Sequence, residues 1–208
     1  PSMKTVLLVF AKAPITGEVK TRLGEKIGME ASKWVYEKLL LRTSQISKKS
    51  KLKTVVFYNK ITEGKNPYFR HAKDHKVQSG SDLGEKMQAA FLWAFDQGYQ
   101  KVLLIGSDLW SLHESTLLEA EYALDQHDIV IGPSYDGGYY LLGMKKMNTE
   151  IFKDIPWSTP QVFRKTILKI SEKSIHHLEI ANDVDNLEDL KANASLFISY
   201  QKWIAKNC

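Results

Sequence analysis

Short apolar runs alternate with longer amphipathic stretches along the chain. Apolar and β-branched runs of strand length lie at residues 5–10, 54–58, 102–106, 128–131 and 139–143, with weaker ones at 76–78 and 177–180. Helical spacing of apolar residues covers 28–47, 83–94, 115–124 and 186–198, and Thr159-Pro160 carries the cap and first-turn signal of another helix. Such alternation is typical of a mostly parallel sheet covered on both faces. The pattern therefore predicts an α/β fold that binds ligands beyond the carboxyl ends of its strands.

The length and composition fit that fold, and the net charge indicates the kind of substrate. A chain of 208 residues with 43% hydrophobic residues suits one α/β domain whose core needs no disulfide or metal. Its net charge of +5, from 29 basic and 24 acidic residues, suits anionic small substrates such as phosphates. The dense basic run KKSKLK lies between a predicted helix and a predicted strand, where a solvated connection explains it. No nucleic-acid partner is therefore expected.

The cysteine content and the length of the apolar runs indicate the cellular compartment of the protein. Cys208 is the only cysteine, so no disulfide can form within the chain, which fits a reducing, cytoplasmic compartment. No run reaches the roughly 18 apolar residues of a membrane span, so none is expected. Pro1 and Ser2 precede Met3 and are interpreted as a cloning remnant, which leaves residues 3–208 as the single expected domain.

The residues after the first strand, AKAPITGEVKTRLG, carry several cations. Lys12, Lys20 and Arg22, with Gly17 as a flexible point, form a loop that leads to a helix and is suited to phosphate oxygens. The loop matches neither G-x-G-x-x-G nor the P-loop motif G-x-x-x-x-G-K-[ST]. An ordinary basic surface loop has the same composition, and local chemistry does not separate the two interpretations.

The segment QSGSDLGEKM precedes the second long helix. Asp82, followed three residues later by Glu85, is typical of a helix N-terminus, and this explains both acids. It does not explain Gly80 and Gly84, because a glycine in the first helical turn costs about 1 kcal/mol relative to alanine. Such a glycine often permits a close approach to the backbone, for which a nucleotide base or ribose would qualify.

Carboxylates lie at further strand ends. Asp108, after the fourth strand, either caps the next helix or is a hard oxygen ligand for Mg²⁺. Asp136 and the two glycines after it connect two strands and fit a hairpin turn. Asp183 and Asp185 are spaced to point to one side of an extended segment and suit a metal ligand or a general base. Asp185 or Asn186 could instead cap the last helix.

Six motifs occur together in the order FAKAPITGEVKTRL, QSGSDLGEKM, GSD, GPSYDGGYYLLG, IPWSTP and DVDNLEDL. From Phe10 to Leu190 they closely resemble a bacterial family of glycosyltransferase-A-type (GT-A) proteins, known as a domain of unknown function or as radical-SAM/selenodomain-associated, glycosyltransferase-like proteins. The resemblance implies a three-layer α/β/α, Rossmann-like nucleotide-diphospho-sugar transferase fold with a mostly parallel mixed sheet. The chain is similar, more distantly, to small nucleotidyltransferases such as the molybdenum-cofactor and lactyl-phosphate guanylyltransferases.

The resemblance also implies roles for individual residues. It implies a Mg²⁺ or Mn²⁺ site formed by Asp108 with Asp183 or Asp185, and a place for Asp136 beside the acceptor or donor sugar. The family has a proline shortly after the metal-binding aspartate, where this chain has Trp110, either as a stacking surface for a sugar or base or as packing against the next helix. The residues implied for substrate binding are Lys12, Lys20 and Arg22 at the phosphates, Gly80, Asp82, Leu83 and Gly84 at the nucleotide, Gly137 and Gly138 by the sugars, and Trp157 of IPWSTP.

Three functions follow as hypotheses. The leading one is glycosyl transfer from a nucleotide sugar to a small-molecule acceptor. In it, the basic loop and a metal on Asp108 stabilise the departing diphosphate, and Asp136 or Asp183 acts as base. The nearest alternative is nucleotidyl transfer from an NTP to a phosphorylated or acidic acceptor, with release of pyrophosphate. The third is nucleotide binding without catalysis. The sequence identifies neither the acceptor nor the oligomeric state.

Overall fold

Residues 4–61 and 66–208, the part of the chain that the computed structural model describes, form one mixed seven-stranded sheet. Pro1 and Ser2 lie outside these ranges. The strand order is β3-β2-β1-β4-β6-β5-β7, in which β6 is antiparallel to both neighbours and the other pairs are parallel. The strands are β1 (Thr5–Ala11), β2 (Lys53–Tyr58), β3 (Asp74–Val77), β4 (Lys101–Ile105), β5 (Ile129–Pro133), β6 (Tyr139–Met144) and β7 (Ile175–His177).

Helices cover both faces of the sheet. None within the described ranges is long and apolar enough to cross a bilayer. A short 3₁₀ helix spans Thr149–Phe152. The α-helices are α1 (Thr21–Ile27), α2 (Met29–Ser50), α3 (Leu83–Asp96), α4 (Glu114–Gln126), α5 (Val162–Lys169), α6 (Leu187–Ala192) and α7 (Ala194–Asn207).

The central strands β1 and β4 separate two apolar cores. Every residue of both strands is buried, as their nearly continuous apolar sequences predict. Because side chains alternate along a strand, Leu7 enters the core that contains α2 and α4, whereas Val6 and Leu8 enter the core that contains α3. Two cores on opposite faces of one sheet give three layers. The predicted α/β/α fold with a mostly parallel mixed sheet is confirmed.

Several predicted boundaries are wrong, and local side-chain hydrogen bonds explain two of them. The helix predicted to begin at Thr159-Pro160 begins at Val162, because the Thr159 hydroxyl donates to the carbonyl of Pro156 in a turn. The helix predicted over 186–198 is broken at Asn193, whose side-chain amide donates back to the carbonyl of Asp189. The last strand ends at His177, where the sequence pattern predicted that it would begin.

Candidate functional site

A cleft of about 720 Å³ opens at the carboxyl ends of β1 and β4, at the edge where the parallel strands were expected to bind a ligand. One wall is the loop that follows β1, and the opposite wall contains the first turn of α3 and the segment 157–160. The β5–β6 turn and the acidic segment 183–185 complete it. The candidate residues that line it are Lys12, Lys20, Arg22, Leu83, Asp108, Asp136, Gly138, Trp157, Asp183 and Asp185.

Lys20 is the buried member of the basic loop. Its backbone is left-handed, with φ of 51°, and it precedes the first turn of α1. The ammonium lies 2.6 Å from Asp108 Oδ1 and 3.0 Å from Asp185 Oδ1, and the side chain is only 6% exposed. Burial alone lowers the pKa of Lys20, but the carboxylates, Asp108 before Asp185, outweigh it and raise that pKa above its ordinary value. Lys20 is therefore a charged partner of two carboxylates within the cleft.

Lys12 and Arg22 have exposed side chains that line the same cleft. The backbone amide of Lys12 donates to the Tyr36 hydroxyl at 2.7 Å, and that hydroxyl hydrogen-bonds Ser107 Oγ at 2.9 Å. Tyr36 thus joins the basic loop to the segment after β4. Sequence reasoning missed this role because Tyr36 lies among the apolar positions of α2, where nothing distinguishes it from a core residue.

Asp108 is held beside the late acidic segment, away from the following helix. Helix α4 begins at Glu114 and is capped by the side chain of His113, so the capping alternative for Asp108 is wrong. The Asp108 carbonyl accepts a hydrogen bond from the backbone amide of Val184 at 2.9 Å. Val184 is buried, and this bond brings the two flanking aspartates of the motif to the carboxyl end of β4.

Three carboxylates converge beside the ion pair. One oxygen each of Asp136, Asp183 and Asp185 lies within 4.8 Å of the others. The Ser134 hydroxyl donates to Asp183 at 3.3 Å. Burial, followed by the neighbouring charges of Asp108, Asp185 and Asp136, raises the pKa of Asp183 to about 8. The cluster shares Asp183 and Asp185 with the metal site implied by the resemblance. Its third member is Asp136, while Asp108 is paired with Lys20.

The β5–β6 turn is held by a hydrogen bond within the turn and by contacts with the segment around the start of α5. The Asp136 carboxylate accepts from the Gly138 amide at 2.8 Å, which is the turn chemistry that the hairpin interpretation predicted. Gly137 has φ of +90°, and a Cβ placed there would lie 2.1 Å from the carbonyl oxygen of Pro160. Its own carbonyl accepts from the Phe163 amide at 2.7 Å. Gly137 therefore holds the turn against the segment before α5, while Asp136 and Gly138 line the cleft.

The first turn of α3 contributes one residue to the lining, Leu83. Asp82 is the N-cap of α3, where its carboxylate accepts from the Glu85 amide at 2.8 Å. A Cβ on Gly84 would lie 2.7 Å from the Trp157 indole, so the group that closely approaches this glycine is a side chain of the protein itself. Gly80, at φ of +142°, packs in the same way on the backbone of α3. Gly80, Asp82 and Gly84 therefore lie behind the residues that line the cleft and support the first turn of α3.

An apolar half of the cleft faces the charged half. The Trp157 ring, held against Gly84, lies with Leu83, Met87 and Tyr139 on the α3 side. The Tyr139 hydroxyl contacts the Met87 sulfur at 3.8 Å, and burial raises the pKa of Tyr139 above its ordinary range. A flat ring bordering a polar cluster is suited to stacking on a base or a sugar. Met87 belongs to the predicted apolar stripe of α3, which gives no sign that it also lines a cleft.

Trp110 packs against the core that contains α2 and α4, and it does not line the cleft. Its indole N–H donates to Ser195 Oγ in α7 at 2.8 Å, and the Arg42 guanidinium of α2 lies 5.8 Å from the ring. The packing alternative therefore describes Trp110 better than the stacking alternative. The helices that it contacts are α2 and α7, whereas the sequence suggested the helix that follows it.

Removing the Asp82 cap is expected to destabilise the protein. Asp82→Ala leaves the Glu85 amide without its acceptor and should lower the free energy of unfolding by about 1 kcal/mol. Asp82→Asn keeps a side-chain oxygen and should lose much less. Urea denaturation of the three proteins measures both values. Equal losses in the two variants would show that the charge of Asp82, and not its capping bond, is what matters.

The raised pKa of Asp183 predicts a pH-dependent stability in metal-free buffer. The folded protein keeps a proton on Asp183 up to a pH of about 8, whereas the unfolded chain releases it near its ordinary pKa of about 3.9. Stability should therefore fall as pH rises between these values. Asp183→Asn lacks this titration, so its stability relative to the native protein should rise by roughly 3–4 kcal/mol from pH 5 to pH 8. Urea denaturation in EDTA at both values tests this, and parallel pH profiles would contradict it.

The fold and the cleft define a GT-A-type α/β/α protein, and comparison with known proteins agrees. Residues 42–159 match the model of the family described as "Uncharacterized protein conserved in bacteria (DUF2064)", and the chain belongs to this family. The resemblance seen in the six motifs is confirmed. No curated protein matches the chain.

Solved structures share the fold over nearly the whole chain. A Desulfovibrio desulfuricans protein, provisionally assigned as a nucleotide-diphospho-sugar transferase, is 28% identical, with a TM-score of 0.81 over 96% of this chain and 99% of its own. The 4-diphosphocytidyl-2C-methyl-D-erythritol synthase of Anaerococcus prevotii is 13% identical, with a TM-score of 0.60 over 93% and 98% of the two chains. A Mycobacterium tuberculosis protein solved in complex with manganese is 12% identical, with a TM-score of 0.53 over 91% and 97%. At these identities the last two support the fold alone.

Proposed function

We propose that this protein is a metal-dependent transferase that uses a nucleotide-activated donor, and that it transfers a glycosyl group from a nucleotide sugar. The observation that carries the proposal is the convergence of Asp136, Asp183 and Asp185 in one cleft with the basic loop after β1. A nucleotide diphosphate is anionic and is commonly bound through a divalent cation and basic side chains. The cleft offers both kinds of group at the edge of the sheet where such ligands bind.

The acidic cluster fits Mg²⁺ or Mn²⁺. Hard carboxylate oxygens are the ligands that these ions prefer, and three of them come within 4.8 Å of one another. Burial, and then the charges of Asp108, Asp185 and Asp136, raise the pKa of Asp183, and a bound cation would offset the repulsion among these carboxylates. When bound, the cation supplies charge neutralisation at the departing diphosphate. Asp136, Asp183 and Asp185 would hold it, with Asp108 beside them.

The remaining residues divide between the two ends of the donor. Lys12 and Arg22 are exposed cations on one wall and are suited to the phosphate oxygens. Trp157 and Leu83 on the apolar wall are suited to a base or a sugar ring. Asp136 is the exposed member of the cluster and is suited to accept the proton of an acceptor hydroxyl.

Glycosyl transfer is preferred over nucleotidyl transfer because of the Desulfovibrio desulfuricans relative, which covers almost the whole chain at the highest identity of the structures described above. The cytidylyltransferase-type neighbour supports the fold but is too distant in sequence to support its reaction here. Nucleotidyl transfer and binding without catalysis are therefore outcomes of the test below.

The products distinguish the three functions. The protein is incubated with Mn²⁺ and, in separate reactions, with a panel of nucleotide sugars and a panel of NTPs, each with and without pooled small-molecule acceptors. Glycosyl transfer predicts free nucleoside diphosphate from at least one nucleotide sugar, and pyrophosphate release from an NTP would overturn it. Metal-dependent donor binding with neither product would indicate a binding protein. Asp183→Asn should abolish the signal, whereas Asp96→Asn, the same change at the exposed end of α3, should not.

A further inference from the structure

We propose that Lys20 is a built-in cation that competes with the divalent metal for Asp185 and so sets the metal affinity of the cleft. This inference rests on the metal site of the proposed function and assigns a role to a residue outside it. Lys20 would act on the metal through Asp185, and it is therefore a positioning residue.

The first observation is the place of the ammonium. Lys20 Nζ lies between two carboxylates, 2.6 Å from Asp108 Oδ1 and 3.0 Å from Asp185 Oδ1, and forms an ion pair with each. The Lys20 side chain is 6% exposed, whereas those of Asp108 and Asp185 are 40% and 34% exposed. The lysine is thus enclosed, while both acids still face the cleft. An enclosed ammonium depends on these carboxylates, because a buried charge left without its partner is strongly destabilising.

The second observation is that Asp185 belongs to two groups. It pairs with Lys20, and it is also one of the three carboxylates that converge with Asp136 and Asp183. A carboxylate that neutralises an ammonium at 3.0 Å offers less negative potential to a second cation. Metal binding at the cluster must therefore weaken the Lys20–Asp185 contact or tolerate the repulsion of Lys20. Either effect lowers the affinity for the metal.

The third observation is the backbone of Lys20. Lys20 has φ of 51°, which lies in the left-handed region. Residues other than glycine, asparagine and aspartate rarely adopt this backbone conformation. Tyr36 lies beneath it, with the ammonium 5.9 Å from the ring centroid. The strained backbone and the aromatic contact both hold the ammonium at the carboxylates.

Mn²⁺ titration followed by electron paramagnetic resonance tests the proposal without any donor or activity. Lys20→Met should tighten Mn²⁺ binding by at least about fivefold, the lower end of typical couplings between sites. Lys20→Arg keeps the charge and should stay within about twofold of the native protein, by the same scale. Lys26→Met removes an exposed charge of α1 outside the cleft lining and should also change little. Lys20→Gln, which can still hydrogen-bond both acids, provides a second neutral variant if Lys20→Met does not fold.

The outcomes separate this inference from the proposed function. Unchanged or weaker Mn²⁺ binding in both neutral variants, with binding still lost in Asp183→Asn, would overturn the role of Lys20 and leave the metal site standing. Absence of Mn²⁺ binding in the native protein and in every Lys20 variant would overturn the metal site and this inference together. Tighter binding in Lys20→Met and an equal gain in Lys26→Met would assign the effect to the net charge of the protein and would also overturn the role of Lys20.

Discussion

Asp183→Asn is expected to lower the affinity of the protein for Mn²⁺ by about 100-fold or more. Asp183 lies in the cluster with Asp136 and Asp185, and asparagine keeps its shape but cannot ionise to become a charged metal ligand. Loss of a ligand should exceed the roughly 10–100-fold effects that follow from removing outer partners of a metal site. Isothermal titration calorimetry with Mn²⁺ measures the change, and Asp96→Asn is the same substitution at an exposed position outside the cleft.

Two further variants decide which aspartates form the metal site. The convergence of Asp136, Asp183 and Asp185 predicts that Asp136→Asn weakens Mn²⁺ binding strongly, whereas Asp108→Asn has a smaller effect. The family resemblance alone predicts the reverse order, since it assigns the metal to Asp108. A large loss in Asp108→Asn beside a small loss in Asp136→Asn would therefore contradict the cluster described here.

Gly137→Ala is expected to lower the free energy of unfolding by roughly 2–5 kcal/mol. A residue with a Cβ at φ of +90° costs about 1–2 kcal/mol, and forcing extra atoms into a packed site costs about 1–3 kcal/mol more. The Cβ would lie 2.1 Å from the Pro160 carbonyl oxygen, a backbone atom that cannot rotate away. Urea denaturation measures the loss.

Gly98→Ala is the matched control for this substitution. Gly98 has φ of +88°, close to that of Gly137, but an added Cβ would meet nothing within 4 Å. It should therefore lose only the backbone contribution of about 1–2 kcal/mol. Equal losses in the two variants would show that the contact with Pro160 does not constrain the turn that carries Asp136.

Much of the fold was predictable because it follows from local sequence pattern. The apolar runs of β1 and β4 and the amphipathic stripes of α2 and α3 specify their own structure, and the long helical crossovers between strands indicate a parallel sheet. Boundaries were less predictable where one side chain redirects the backbone. Asn193 ends α6 through its own amide, and Thr159 forms a turn before α5. Neither bond has a signal that separates it from helix capping in the sequence.

The sequence predicted where the site lies, but it did not predict which of its side chains contact one another. Strand-end chemistry and the resemblance indicated Asp183 and Asp185 and the basic loop. They did not indicate that Lys20 pairs with Asp185, 165 positions away in the sequence, because that contact depends on how three loops meet above the sheet. Gly84 shows the same limit. The sequence predicted a close approach to its backbone, but only the fold identifies the Trp157 ring as the approaching group.

The central claim is that this cleft binds a nucleotide-activated donor through a divalent cation. Calorimetric titration of the native protein with the panel of nucleotide sugars in Mn²⁺, repeated in EDTA and with Asp183→Asn, tests it most directly. The account predicts binding of at least one donor in Mn²⁺ and loss of that binding in both EDTA and the variant. Binding that is unchanged in EDTA and in Asp183→Asn, or no binding of any donor in Mn²⁺, would contradict it.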